Sequence, residues 1–140
     1  MNAPKTIVLV TGGRDYWGMA ATEAVYSALD LLSPSVVIHG AAKGADTLAH
    51  NWCVASGTFE LAAPIHGKTW ERYRKAAGMA RNRLMRSTAE GLWTTSDLLV
   101  CVHFPGGHGT AGMVRDVRKN GCDAWEVVDG LEVAKTSREK

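Results

Sequence analysis

Three glycine-bearing loops carry most of the chemistry this sequence can offer. They read Thr11-Gly12-Gly13-Arg14, then His39-Gly40-Ala41-Ala42-Lys43-Gly44-Ala45-Asp46, then Pro105-Gly106-Gly107-His108-Gly109-Thr110. Glycine keeps backbone N–H groups accessible, and a helix start carries partial positive charge, so loops of this kind suit an anion such as phosphate. The amides from Gly106 to Thr110 are expected to hold that phosphate, with the Thr110 hydroxyl either adding a hydrogen bond or capping its own helix. Gly12 and Gly13 are expected to allow close approach of a ligand. Arg14 either neutralises phosphate charge or is a surface cation. Gly40, Lys43 and Gly44 belong to the second wall, where Asp46 either accepts ribose hydroxyls or caps the following helix. Trp70, in a polar connection, is the candidate to stack on a base.

Other residues offer less. His39, His66, His103 and His108 fall at or just past strand ends, yet no histidine–carboxylate spacing suggests a metal site, and no metal is expected. A Walker A ending is absent after Gly44, whereas Gly107, Gly109 and Gly112 form a literal GxGxxG followed by Asp129. That fingerprint normally opens a fold, and this copy closes one. No catalytic residue is assigned.

The elements that must position these loops alternate clearly. Thr6 to Val10 is a β-branched run of the kind buried on both faces. A helix is expected from about Gly18 to Leu32, followed by Pro34, then a strand at Val36 to Ile38. A second helix, Ala45 to Ser56, ends at Gly57 as a left-handed cap. Phe59 to Ala63 is a weaker strand, and a basic helix from about Gly78 to Glu90 is expected to turn Ala80, Leu84 and Thr88 inward. Leu98 to Val102, a helix from Gly109 to Asn120, and a strand from Ala124 to Val128 complete the series. Alternating βα units imply an α/β fold: one Rossmann-like domain over residues 1–128 with a polar tail at 129–140. Its doubly wound parallel sheet has about five strands in the order 3-2-1-4-5. In that order the sheet reverses between strands one and four, so all three loops gather at its carboxyl edge, where ligands bind in open α/β folds.

Composition bounds the function. The chain has 140 residues, 46% of them hydrophobic and 21% charged, as expected for one globular domain. Sixteen basic and fourteen acidic residues leave a formal charge of +2, which counts against nucleic acid as a partner. Three cysteines in no CxxC pair fit a reducing interior, with Cys53 and Cys101 as small core residues. With no long apolar stretch and no cleavable leader pattern, a cytoplasmic protein that avoids membranes is the expectation.

Four segments taken together add a resemblance. Ile7-Val-Leu-Val-Thr-Gly-Gly-Arg-Asp15, Ile38-His-Gly-Ala-Ala-Lys-Gly-Ala-Asp-Thr-Leu48, Ala77-Gly-Met-Ala-Arg-Asn-Arg-Leu84 and Phe104-Pro-Gly-Gly-His-Gly-Thr110 resemble, in order and spacing, the SLOG superfamily. The resemblance is to its YspA/cpYpsA-related branch, found in bacteria and their phages, and it spans about residues 5–128. It implies a Rossmann-like domain that binds a nucleotide or nucleotide derivative, with Arg81 and Asn82 matching the superfamily's Arg-Asn element. Because related proteins often pair, it also allows a homo-oligomer, with the 64–93 region as a candidate interface. The more distant Lonely Guy phosphoribohydrolases carry PGGxGTxxE, whose glutamate assists cleavage of an N-glycosidic bond. Here Met113 stands at that position, and a thioether cannot activate water or stabilise an oxocarbenium-like transition state. The resemblance therefore favours a nucleotide sensor or sequestering protein over an N-glycosidase. A DNA-processing type of nucleic-acid binder is a further alternative. No cofactor is certain beyond a nucleotide as ligand.

Overall fold

Five short parallel strands form the centre of the molecule. The computed structural model describes residues 5–63, 83–85, 87–89, 91–92, 98–105 and, for backbone alone, 123–126. Strands β1 (Thr6–Thr11), β2 (Val36–His39), β3 (Phe59–Ala62), β4 (Leu98–His103) and β5 (Asp123–Glu126) pair in the order β3-β2-β1-β4-β5. Ile7 lies opposite Val36 on one side and Leu99 on the other, and the β1–β4 ladder runs from Thr6–Leu98 to Thr11–His103. The expected doubly wound parallel sheet is therefore the fold.

Period-two alternation sends successive β1 side chains to opposite faces. Val8 and Val10 join Val25, Leu29, Leu48, Trp52, Val100, Val102 and Phe104 under helices α1 (Met19–Leu32) and α2 (Ala45–Ser56). Ile7 and Leu9 join Ile38, Leu99 and Cys101 on the other face, covered by Met85 and Ala89. Burial on both faces is why these strands read as unbroken aliphatic runs. Cys53 and Cys101 are buried free thiols, as their surroundings in the sequence suggested.

Helix ends follow local rules. Ser33 closes α1 in the left-handed region and donates its N–H to Leu29 O; Gly57 closes α2 likewise, donating to Cys53 O. The helical residues 83–85, 87–89 and 91–92 correct one expectation. Met85 and Ala89 face the sheet, while Leu84 is 58% exposed and Thr88 only half-buried. A shift of one residue rotates a helix by about 100°, and the two alternative faces differ little in apolar content. Among the described residues no helix is long and apolar enough to cross a membrane.

Candidate functional site

The carboxyl ends of β1 and β4 are joined by backbone. Phe104 N–H donates to Thr11 O (2.8 Å) and Gly13 N–H donates to Pro105 O (3.0 Å). Tyr16, beyond the first loop, stacks on Phe104 with ring centroids 5.5 Å apart. The second loop docks on the first, with Ala45 N–H donating to Gly13 O (3.3 Å). The first loop thus meets the start of the third through Phe104 and Pro105 and the end of the second through Gly44 and Ala45, where the sheet order reverses.

That meeting gives two glycines a packing reason. A Cβ on Gly12 would stand 2.6 Å from Ala45 Cβ and 2.9 Å from Phe104 Cβ. A Cβ on Gly44 would stand 2.2 Å from Gly13 O, and Gly44 has φ +81°. Both positions exclude a side chain because loop packs on loop, before any ligand is considered.

The second loop is held by its own side chains. Asp46, 6% exposed in the first turn of α2, accepts through Oδ2 from Gly40 N–H (3.1 Å) and Ala42 N–H (3.2 Å). Thr47 Oγ1 donates back to Ala42 O (2.9 Å). Asp46 therefore fastens the loop ahead of its helix. Ala41 N–H donates to His39 Nδ1 (3.0 Å), and Ala41 sits at φ +55°, a left-handed conformation that costs a residue with a Cβ about 1–2 kcal/mol. The amides of Gly40, Ala41 and Ala42 are thus engaged inside the protein. Arg14 and Lys43 are exposed on the two loops and carry the positive charge of this edge.

A second group of side chains lies behind that loop, and sequence reasoning missed two of its members. His39 ends β2 and is 2% exposed, His50 stands on α2, and Glu60 is in β3. Glu60 Oε2 lies 2.7 Å from His39 Nε2, and Oε1 lies 2.6 Å from His50 Nδ1. Since His39 Nδ1 accepts from Ala41, its ring proton is on Nε2 and is donated to the carboxylate. Burial disfavours the charged form of Glu60, but the hydrogen bonds and positive character of His39 and His50 outweigh it and hold its carboxyl below the usual range. All three donor atoms lie within 4.8 Å of one another, a set that could hold a metal ion. No short spacing announces the group, because its members come from three elements. One signal was present: Glu60 is the one charged residue in the otherwise uncharged β3 segment Phe-Glu-Leu-Ala.

Of the expected binding residues, Gly12, Gly13, Arg14, Gly40, Lys43, Gly44, Asp46 and Pro105 are brought to this edge. Trp70, Arg81, Asn82, Gly106, Gly107, His108, Gly109 and Thr110 lie outside the described residues, as does Met113.

No family model matches the chain. Among solved structures, the DNA processing protein A (DprA) of Streptococcus pneumoniae superposes with a TM-score of 0.48 and 18% identity, over 87% of this chain. The chain spans 58% of that protein's length, and at this identity the likeness is one of fold. The expectation that counted against nucleic acid is corrected here. It rested chiefly on a modest net charge, which does not describe how charge is distributed over the surface. A phage protein, the Gene 61 protein of Mycobacterium phage D29, is 33% identical over 125 residues, covering 81% of this chain and 90% of its own length. A phage setting is consistent with that likeness, and the chain belongs to the family of the Gene 61 protein of Mycobacterium phage D29.

Proposed function

We propose that this domain binds a phosphorylated nucleotide unit at the carboxyl edge of the sheet, over the ends of β1 and β4. The observation that carries the reading is the reversal of strand order between β1 and β4, with the loops after β1, β2 and β4 joined at that point. In open parallel sheets such a switch point is where the chain ends leave a crevice for a ligand. Arg14 and Lys43 supply charge for a phosphate, and the glycines from Gly106 to Gly109 supply amides. The resemblance of the four glycine-bearing segments to the SLOG superfamily supports the same reading, as does its nucleotide-binding character. With Met113 in place of a hydrolytic glutamate, the role proposed is holding the nucleotide as a sensor or sequestering protein.

Phosphate and ribose are offered equally by a free nucleotide and by a nucleic-acid strand, so the test carries both. Purified protein is heated with nucleoside monophosphates, NAD, ADP-ribose and a single-stranded oligonucleotide, and release of free base is followed in parallel. A ligand at about 100 times its dissociation constant should stabilise the fold by about 2.7 kcal/mol. Lys43→Ala should weaken that ligand about tenfold or more, the size of a charge-assisted contact. Oligonucleotide binding with steep salt dependence assigns the site to a strand, whereas mononucleotide binding assigns it to a free metabolite. No shift with any of these ligands removes the proposal, and base release by the parent protein removes its non-hydrolytic part.

A further inference from the structure

We propose that His39, His50 and Glu60 form a site for a divalent transition metal of the zinc class, and that loading it turns over the Gly40–Ala41 peptide. The donor set is two imidazole nitrogens and one carboxylate, brought within 4.8 Å by β2, α2 and β3. Zinc uses this set in open sites, with water completing the shell. His39 is buried and Glu60 is 24% exposed, while the His50 side chain is 49% exposed, giving a cation an entry from solvent.

Ligation reverses the hydrogen bonding of both rings. In the metal-free arrangement the protons of His39 Nε2 and His50 Nδ1 point at Glu60. A metal needs those lone pairs, so each neutral ring moves its single proton to the opposite nitrogen. For His50 that nitrogen is Nε2, on a ring half open to water. For His39 it is Nδ1, which faces the Ala41 N–H at 3.0 Å. Two donors cannot share that contact, and a metal-bound imidazole normally donates its second N–H to an acceptor.

Rotation of one peptide supplies the acceptor. Turning the Gly40–Ala41 unit by about half a turn replaces the Ala41 N–H with the Gly40 carbonyl oxygen. The same rotation takes Ala41 from φ +55° to about −125°, out of the left-handed region to a negative φ open to any residue. Gly40 absorbs the matching change in ψ without a Cβ. Its own N–H, in the preceding peptide, keeps its bond to Asp46. The strained alanine and the misdirected amide are thus relieved by one movement, in the loop that also carries Lys43.

Metal-stripped full-length protein titrated with zinc tests this. We expect one saturable site, weakened at least about 30-fold in both His50→Ala and Glu60→Gln, since each removes a ligand. Nitrogen NMR of the rings should show His39 Nδ1 unprotonated before zinc and protonated after it. Ala41→Gly should bind zinc about fivefold or more weakly, because glycine gains nothing by leaving the left-handed region. Absence of saturation by about 1 mM zinc, a range weaker than ordinary protein sites for this ion, overturns the proposal. Equal affinity in the His50 variant, or a His39 Nδ1 that stays unprotonated when loaded, overturns it as well.

Discussion

Replacing Gly44 by alanine should damage this domain far more than the same change at Gly57, although both glycines have positive φ. At Gly57, with φ +72° and nothing within 4 Å of where the new methyl would stand, the substitution costs only the left-handed backbone, about 1 kcal/mol. At Gly44 two costs combine. Its backbone, φ +81° and ψ −128°, lies where residues with a Cβ are rare, a strain of about 1–3 kcal/mol. The new methyl also meets main chain on the first loop: Gly13 O at 2.2 Å, Arg14 O at 2.7 Å and Arg14 C at 2.8 Å. Ordinary contact would require one loop to withdraw by more than about 1 Å, and overpacking of this kind costs about 1–3 kcal/mol. We expect Gly44→Ala to lose about 3–5 kcal/mol, a large part of a total near 5–15 kcal/mol, and to melt about 10 °C lower. Urea unfolding of both variants with unchanged slopes measures the difference directly. If Gly44→Ala proves no less stable than Gly57→Ala, the loops do not pack as described and the crevice built on them fails.

Other outcomes follow from the same contacts. Asp46→Ala leaves the amides of Gly40 and Ala42 without their carboxylate, and should destabilise by about 2–4 kcal/mol in denaturant titrations, against about 0.5 kcal/mol for an ordinary surface change. In the metal-free protein the lowered carboxyl of Glu60 contributes stability that is fully present above its ordinary value of 4.5 and is lost as pH falls through the folded value. The stability gap between the parent and Glu60→Gln should therefore narrow as pH falls below 4.5, and a gap that stays constant there would contradict the pairing. Burial, then the charge of Glu60, pushes the Cys53 thiol up to about 12. Alkylation of Cys53 at pH 8 should be slower than that of a free thiol by about 1000-fold or more, recovering on unfolding, as mass spectrometry of labelled peptides would show.

Much of the fold was legible because its signals are local. Val8, Val10, Val37 and Val100 lie in unbroken aliphatic runs, which only strands covered on both faces require, and Gly57 ends its helix through its own φ. The residues around Met85 and Ala89 are helical, as expected, but turned by one residue. Their apolar stripe is ambiguous until the sheet chooses a side.

What the sequence alone determined is the order of strands and helices, and hence the edge on which Gly12, Gly44 and Pro105 gather. Alternating periods of hydrophobicity and the right-handed crossover leave little choice of topology. Tertiary structure decided what those residues do to one another. Gly12 and Gly44 prove to be places where backbone meets backbone, and Asp46 proves to be the fastening of its own loop. Tertiary structure also made the group of His39, His50 and Glu60, which no spacing reveals. A hydrogen bond or a metal–ligand bond acts across a few ångströms of space, and β2, α2 and β3 become neighbours at that range only when the sheet has formed.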